Sequence, residues 1–163
     1  MTQLYVYRNE RLQPDKPAAS EYTRRPPALS GGGGWWSPYG GIVTTVDNYH
    51  RFCQTLLDYG QFAGEQVVGE ALVREMVSNQ IGQLDAYGAK YGLGIGVKLS
   101  NTSSGTTDEV FWSGSPYNTC FWINYRNGVI GILLTNTAPS GHMDMMDRFK
   151  ELIEESLSER TKH

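Results

Sequence analysis

No stretch of this sequence strings together the ~18 apolar residues needed to cross a bilayer, and its first residues, Met-Thr-Gln-Leu-Tyr-Val-Tyr-Arg, are too polar for a signal peptide. The chain is therefore expected to be soluble, cytoplasmic as given and without an export address, although composition names no compartment. Basic excess is also missing: 14 Lys and Arg stand against 17 Asp and Glu, a net charge of −3. With no basic face to neutralise phosphates, nucleic-acid binding is excluded as an expectation. Only two cysteines occur, Cys53 in a helical pattern and Cys120 in a strand pattern, each among apolar neighbours. They read as two buried free thiols, with a disulfide between them left open on sequence grounds.

Several catalytic signatures are missing as well. A serine becomes a nucleophile only when a base within hydrogen-bond reach takes its proton. No serine here has a lysine three residues on, and no Gly-x-Ser-x-Gly elbow occurs. His50, His142 and His163 show no His-x-x-x-His spacing, nor is there a Cys-x-x-Cys, so neither metal nor cofactor is expected. Gly31 to Gly34 lack the following Lys-Ser/Thr of a phosphate cradle. Two Tyr-x-Asn triplets, Tyr7-Arg8-Asn9 and Tyr125-Arg126-Asn127, read as coincidence, the second being absorbed by a hairpin turn.

What is present fits one domain over residues 1–163, a length that buries about 70% of the unfolded surface. Leu4 to Tyr7 is a short β-prone piece. Residues 9–30 hold Pro14, Pro17, Pro26 and Pro27 and read as an extended connection. Residues 31–41 form a glycine and tryptophan loop, in which Trp35, Trp36 and Tyr39 suit the walls of a pocket as well as a plain flexible loop. Thr45 is placed to cap a helix whose apolar residues are Val46, Tyr49, Phe52, Cys53, Leu56 and Leu57, ending at Gly60. A second helix spans about 70–80 with Leu72, Val73, Met76 and Val77 on one face.

Residues 91–99 alternate strictly. They are expected to form one strand with Tyr91, Leu93, Ile95, Val97 and Leu99 on one face and Gly92, Gly94 and Gly96 on the other. After a polar turn over 101–108, residues 109–136 read as three antiparallel strands, the last two joined by Arg126-Asn127-Gly128, a strong hairpin signal. A final helix over about 142–158 carries Met145, Met146, Phe149, Leu152, Ile153 and Leu157 on its apolar side. The fold class is α+β: an antiparallel sheet of three to five strands, a pair of helices before it and a C-terminal helix packed on it.

Between the aromatic runs sits Trp112-Ser113-Gly114. Taken alone it reads as a packing tryptophan and a bulge glycine ahead of Pro116. Its context differs. Ser30 with four glycines, then 42–52 (Ile-Val-Thr-Thr-Val-Asp-Asn-Tyr-His-Arg-Phe), Tyr59-Gly60, 76–80 (Met-Val-Ser-Asn-Gln), 91–97, Trp112-Ser113-Gly114 and 121–124 (Phe-Trp-Ile-Asn) follow in an order that resembles the C-terminal half of a serine β-lactamase-type hydrolase. Class C-like β-lactamases, related esterases and penicillin-binding-protein-like folds share this pattern.

The resemblance implies acyl-ester or amide hydrolysis through a serine. It makes Trp112-Ser113-Gly114 the third active-site element, with the N–H of Ser115 as an oxyanion donor. Catalytic assignments then fall on Trp112, Ser113, Gly114 and Ser115, and substrate-binding ones on Trp35, Trp36, Tyr39 and Tyr117. Trp112, where lactamases have Lys, favours small ester substrates over β-lactams. The family's Ser-x-x-Lys and Tyr-x-Asn elements are expected upstream, so this chain alone is expected to be inactive. A binding or interaction module that kept the fold without the chemistry is the alternative, and an exposed sheet edge open to self-association is a further expectation.

Overall fold

The computed structural model describes residues 5–14, 44–86, 88–101, 105–114, 119–138 and 144–160. Two short strands, β1 (Tyr5–Arg8) and β2 (Arg11–Pro14), form a hairpin through Asn9 and Glu10, both at positive φ as a tight primed turn requires. The β-prone N-terminal piece is thus a strand, and part of the proline-rich connection pairs with it. Helix α1 (Val46–Leu57) follows, capped by the hydroxyl of Thr45, which accepts a hydrogen bond from the N–H of Asn48. A small hairpin, β3 (Gln61–Phe62) with β4 (Glu65–Gln66), turns through Ala63 and Gly64. Helix α2 (Glu70–Met76) is shorter than its periodicity suggests, and Leu72, expected on its apolar face, is exposed.

The main sheet comes next. Strands β5 (Lys90–Tyr91), β6 (Gly96–Leu99), β7 (Thr107–Gly114), β8 (Thr119–Asn124) and β9 (Val129–Leu133) lie in sequence order, all antiparallel. A last short strand, β10 (Thr137–Ala138), pairs in parallel with β1, and helix α3 (Asp144–Arg160) closes the described chain. The architecture is α+β, as the sequence suggests. The turn between β8 and β9 is held by Asn124, whose side-chain oxygen accepts from the N–H groups of Arg126 and Asn127, and Gly128 sits at φ +68.

One expectation needs correction. Residues 91–99 are not one strand: Gly92 bonds back to Ile95, Gly94 adopts φ +76, and β6 starts only at Gly96. Alternation is a side-chain pattern, and the backbone break at Gly94 leaves it partly intact. Ile95 and Val97 are buried, whereas Leu93 is exposed.

The core lies on one face of the sheet. Val97, Val110, Phe121 and Ile123 pack against Cys53 and Leu56 of α1 and Val73 and Val77 at α2. On the opposite face, where α3 lies, the ring of Phe149 meets Trp122 edge-on. There Phe111 covers Gly96 and Trp122 covers Gly131, each ring so close that a Cβ on the glycine would overlap it. The glycines of β6 and β9 thus make room for aromatic rings of the neighbouring strands.

Both cysteines are free and buried, with Cys53 in the α1 core and Cys120 in β8. Among the described residues no helix is long and apolar enough to cross a membrane, and none group into a three-ligand metal cluster.

Candidate functional site

The register of β7 decides what Trp112-Ser113-Gly114 can do. Strand β6 pairs with β7 only from Leu99 opposite Thr107 to Gly96 opposite Phe111. Beyond that point the triplet continues alone along β8, with Trp112 opposite Phe121, Ser113 opposite Cys120 and Gly114 opposite Thr119. Because the chain bends away at Gly94, the outer backbone edge of these three residues has no strand partner among the described residues. A strand edge of this kind presents N–H and C=O groups to whatever lies beside it.

Next to this open edge is a shallow cavity of about 140 Å³, lined by Tyr49, Phe52, Met76, Gly94, Ile95, Trp112 and Phe121. Its floor is an aromatic cluster: Tyr49 stacks on Phe52 with ring centres 5.8 Å apart, and both meet Phe121 edge-on at 5.4 and 6.1 Å. Helical spacing sets Tyr49 and Phe52 on the same side of α1, and strand alternation sets Trp112 on the same sheet face as Val110. Burial, with the nearby thiols of Cys53 and Cys120, pushes the Tyr49 phenol up to about 12, so it is a neutral wall of the pocket at ordinary pH.

The same alternation separates the members of the triplet. Trp112 is half-buried and packs against the core on the α1 side, while Ser113 is exposed and belongs to the α3 face. Trp112 is therefore brought into the pocket and Ser113 and Gly114 contribute backbone to the open edge, while the Ser113 side chain lies on the α3 face, outside the pocket lining. Ser115, Trp35, Trp36, Tyr39 and Tyr117 lie outside the described residues. Tyr49, Phe52 and Phe121 escape the sequence reading as site residues because their apolar spacing is indistinguishable from that of core positions.

The cations of the sheet are committed elsewhere. On the α3 face, the carboxylate of Glu109 lies between Lys98 and Lys150, and Lys90 bonds to the carbonyls of Gln83 and Leu84 and pairs with Asp85. An open strand edge with an apolar aromatic wall can hold an acyl group and donate backbone hydrogen bonds to it. The described residues assign it no nucleophile and base.

A five-stranded antiparallel sheet with helices on both faces and an open motif strand beside a pocket defines the class of fold. The comparison with protein families then identifies it: the Beta-lactamase family model matches residues 1–155, and the chain belongs to that family. Among solved structures it is similar to a "putative beta-lactamase" from Bacteroides dorei DSM 17855, at 22% identity and a TM-score of 0.53, over 60% of this chain and 33% of that one. That likeness is one of fold, and the chain spans about a third of the length of the Bacteroides protein. A "Novel Penicillin-Binding Protein (PBP) Homolog" from Caulobacter crescentus aligns at 18% identity and a TM-score of 0.42, over 55% of this chain and 25% of that one. No curated protein matches.

Proposed function

We propose that this chain is the C-terminal portion of a serine hydrolase and supplies one wall of its acyl-transfer site. The observation that carries the reading is the overhang of Trp112-Ser113-Gly114 beyond β6, beside an apolar pocket. A backbone donor on that edge, assigned to the N–H of Ser115, would stabilise an oxyanion, an interaction whose loss costs about 3 kcal/mol in comparable sites. Ser113 and Gly114 set the geometry of that edge. Trp112 packs beside the acyl group, and Trp35, Trp36, Tyr39 and Tyr117 are assigned to further substrate contacts.

The substrate class is a small ester. Trp112 brings no cation for the carboxylate of a β-lactam, and the pocket lining is apolar. The nucleophile and its base belong to a portion of the protein outside these 163 residues, since no serine of the sequence is followed by lysine three residues on. The same absence favours a second reading, a binding module that holds a small acyl ligand without turning it over.

Assay with p-nitrophenyl butyrate and nitrocefin separates the readings from their failure. The chain alone is expected to give no turnover above buffer with either. It is expected to bind a non-hydrolysable butyrate analogue saturably, and to lose that binding in Trp112→Ala. Enzyme-like turnover by this chain that disappears on replacing one of its own serines would show that the nucleophile lies within it.

A further inference from the structure

Asn127, alone among the asparagines of the sequence, is followed by glycine. It lies in the exposed part of the turn between β8 and β9, with Arg126 and Gly128 on either side. The backbone of that turn is held almost throughout. The N–H of Tyr125 donates to the carbonyl of Asp108, those of Arg126 and Asn127 donate to the side-chain oxygen of Asn124, and that of Val129 donates to the side-chain oxygen of Asn127 itself. Of the backbone N–H groups from Tyr125 to Val129, only that of Gly128 has no acceptor among the described residues.

These features favour one reaction. The 3.2 Å bond from Val129 folds the Asn127 side chain over the peptide unit that follows it, as an Asx turn does, and draws electron density from the amide carbon. The next backbone nitrogen along the chain is that of Gly128, the one whose proton is not engaged. Glycine has no Cβ to crowd the approach, and around Gly128 no atom lies within 4 Å of where a Cβ would stand.

We propose that the β8–β9 turn is a self-modification site, at which Asn127 cyclises onto Gly128 and reopens as an acid. Base from solvent takes the proton of the Gly128 nitrogen, that nitrogen bonds to Cγ of Asn127, and the side-chain amide nitrogen leaves as ammonia with the proton returned to it. Water then adds across one of the two C–N bonds of the cyclic imide. Opening at one carbonyl gives aspartate; opening at the other gives isoaspartate, whose main chain runs through Cβ and Cγ. Aspartate keeps an acceptor for the N–H of Val129 and adds a negative charge to the turn. Isoaspartate lengthens the main chain by one atom inside the turn that sets Asn124 opposite Val129, and so works against the register of β8 on β9.

Mass spectrometry with fragmentation reads the conversion directly, on the folded chain held at mildly alkaline pH in water enriched in heavy oxygen and then digested. Heavy oxygen in the product marks conversion during the incubation and not during digestion, and fragmentation separates residue 127 from Asn124 and Asn136. Asn127 is expected to convert at least as fast as in a free peptide of residues 123–131, faster as pH rises, and to both aspartate and isoaspartate. The gain is expected to disappear in Asn127→Gln, whose longer side chain closes a larger ring far less readily. An Asn127 that outlasts the one in the free peptide overturns the proposal, as does a product without isoaspartate, the mark of direct hydrolysis. A mass gain unchanged in Asn127→Gln also overturns it. Should that variant fail to fold, the fragment assignment in the wild-type chain decides, and conversion at Asn124 or Asn136 in place of residue 127 counts against the site.

Discussion

Lys98 Nζ lies 3.0 Å from Glu109 Oε1, directly opposite it across β6 and β7, while Lys150 of α3 reaches the other carboxylate oxygen. Glu109 is 5% exposed, and Oε1 lacks a well-directed hydrogen bond, so Lys98 balances it as a charge. Burial opposes the charged form of Lys98, but the contact with Glu109 outweighs it and holds the ammonium above the usual lysine range. This cluster ties the C-terminal helix to the strand that carries Trp112.

Glu109→Ala should therefore destabilise the fold by about 2 kcal/mol, because it leaves the largely buried Lys150 with only the exposed carboxylate of Glu154, 4.0 Å away, as counter-charge. Urea unfolding of the variant checks this. Lys98→Ala, at the exposed end of the cluster, should cost no more than about 1 kcal/mol in the same measurement.

Gly131→Ala would bring a Cβ to 2.1 Å from the Trp122 ring, so either the ring or β9 must move. A loss of about 2 kcal/mol is expected, and Trp122→Leu in the same chain should recover part of it. Gly92→Ala meets the carbonyl oxygen of Met76 at 2.0 Å, which is backbone. No side-chain replacement should rescue that variant, and paired thermal melts distinguish the two cases.

Burial raises the Cys53 thiol to about 12 and the Cys120 thiol to about 11, from an ordinary value of 9.0. Raised pKa values mean that the folded chain holds these protons after the unfolded chain has released them. Stability is therefore fully present below pH 9 and falls as pH rises toward 11 and 12. Denaturation midpoints measured from pH 7 to 11 should show this decline, and it should shrink in Cys53→Ala when compared with its own value at pH 7. Neither thiol should react with a disulfide reagent in the native chain at pH 8.

Thr45→Ala removes the hydroxyl that accepts from the N–H of Asn48. The cost should be about 1 kcal/mol, and Thr45→Ser should restore most of it. Circular dichroism during chemical unfolding measures both.

Features governed by neighbours along the chain are legible in the sequence. Thr45 caps α1, Asn127-Gly128 falls in the β8–β9 turn, and Phe149 and Trp122 lie on apolar faces that meet. Each depends on interactions spanning a few residues, or on a period that the backbone imposes directly. The candidate site is half legible: Trp112 stands out against its neighbours, whereas Tyr49, Phe52 and Phe121 look like any core residues.

The sequence by itself determined the α+β class, the hairpin, the caps and the family pattern around Trp112-Ser113-Gly114. Only the tertiary structure decided that β6 stops short of that triplet, that Glu109 is neutralised by a lysine 41 residues away and that β1 pairs with β10 from the far end of the chain. Caps, turns and alternation draw their energy from adjacent residues. The open edge, the buried carboxylate and the parallel pair depend on which distant segments arrive side by side, and that choice is made by the packing of the whole core.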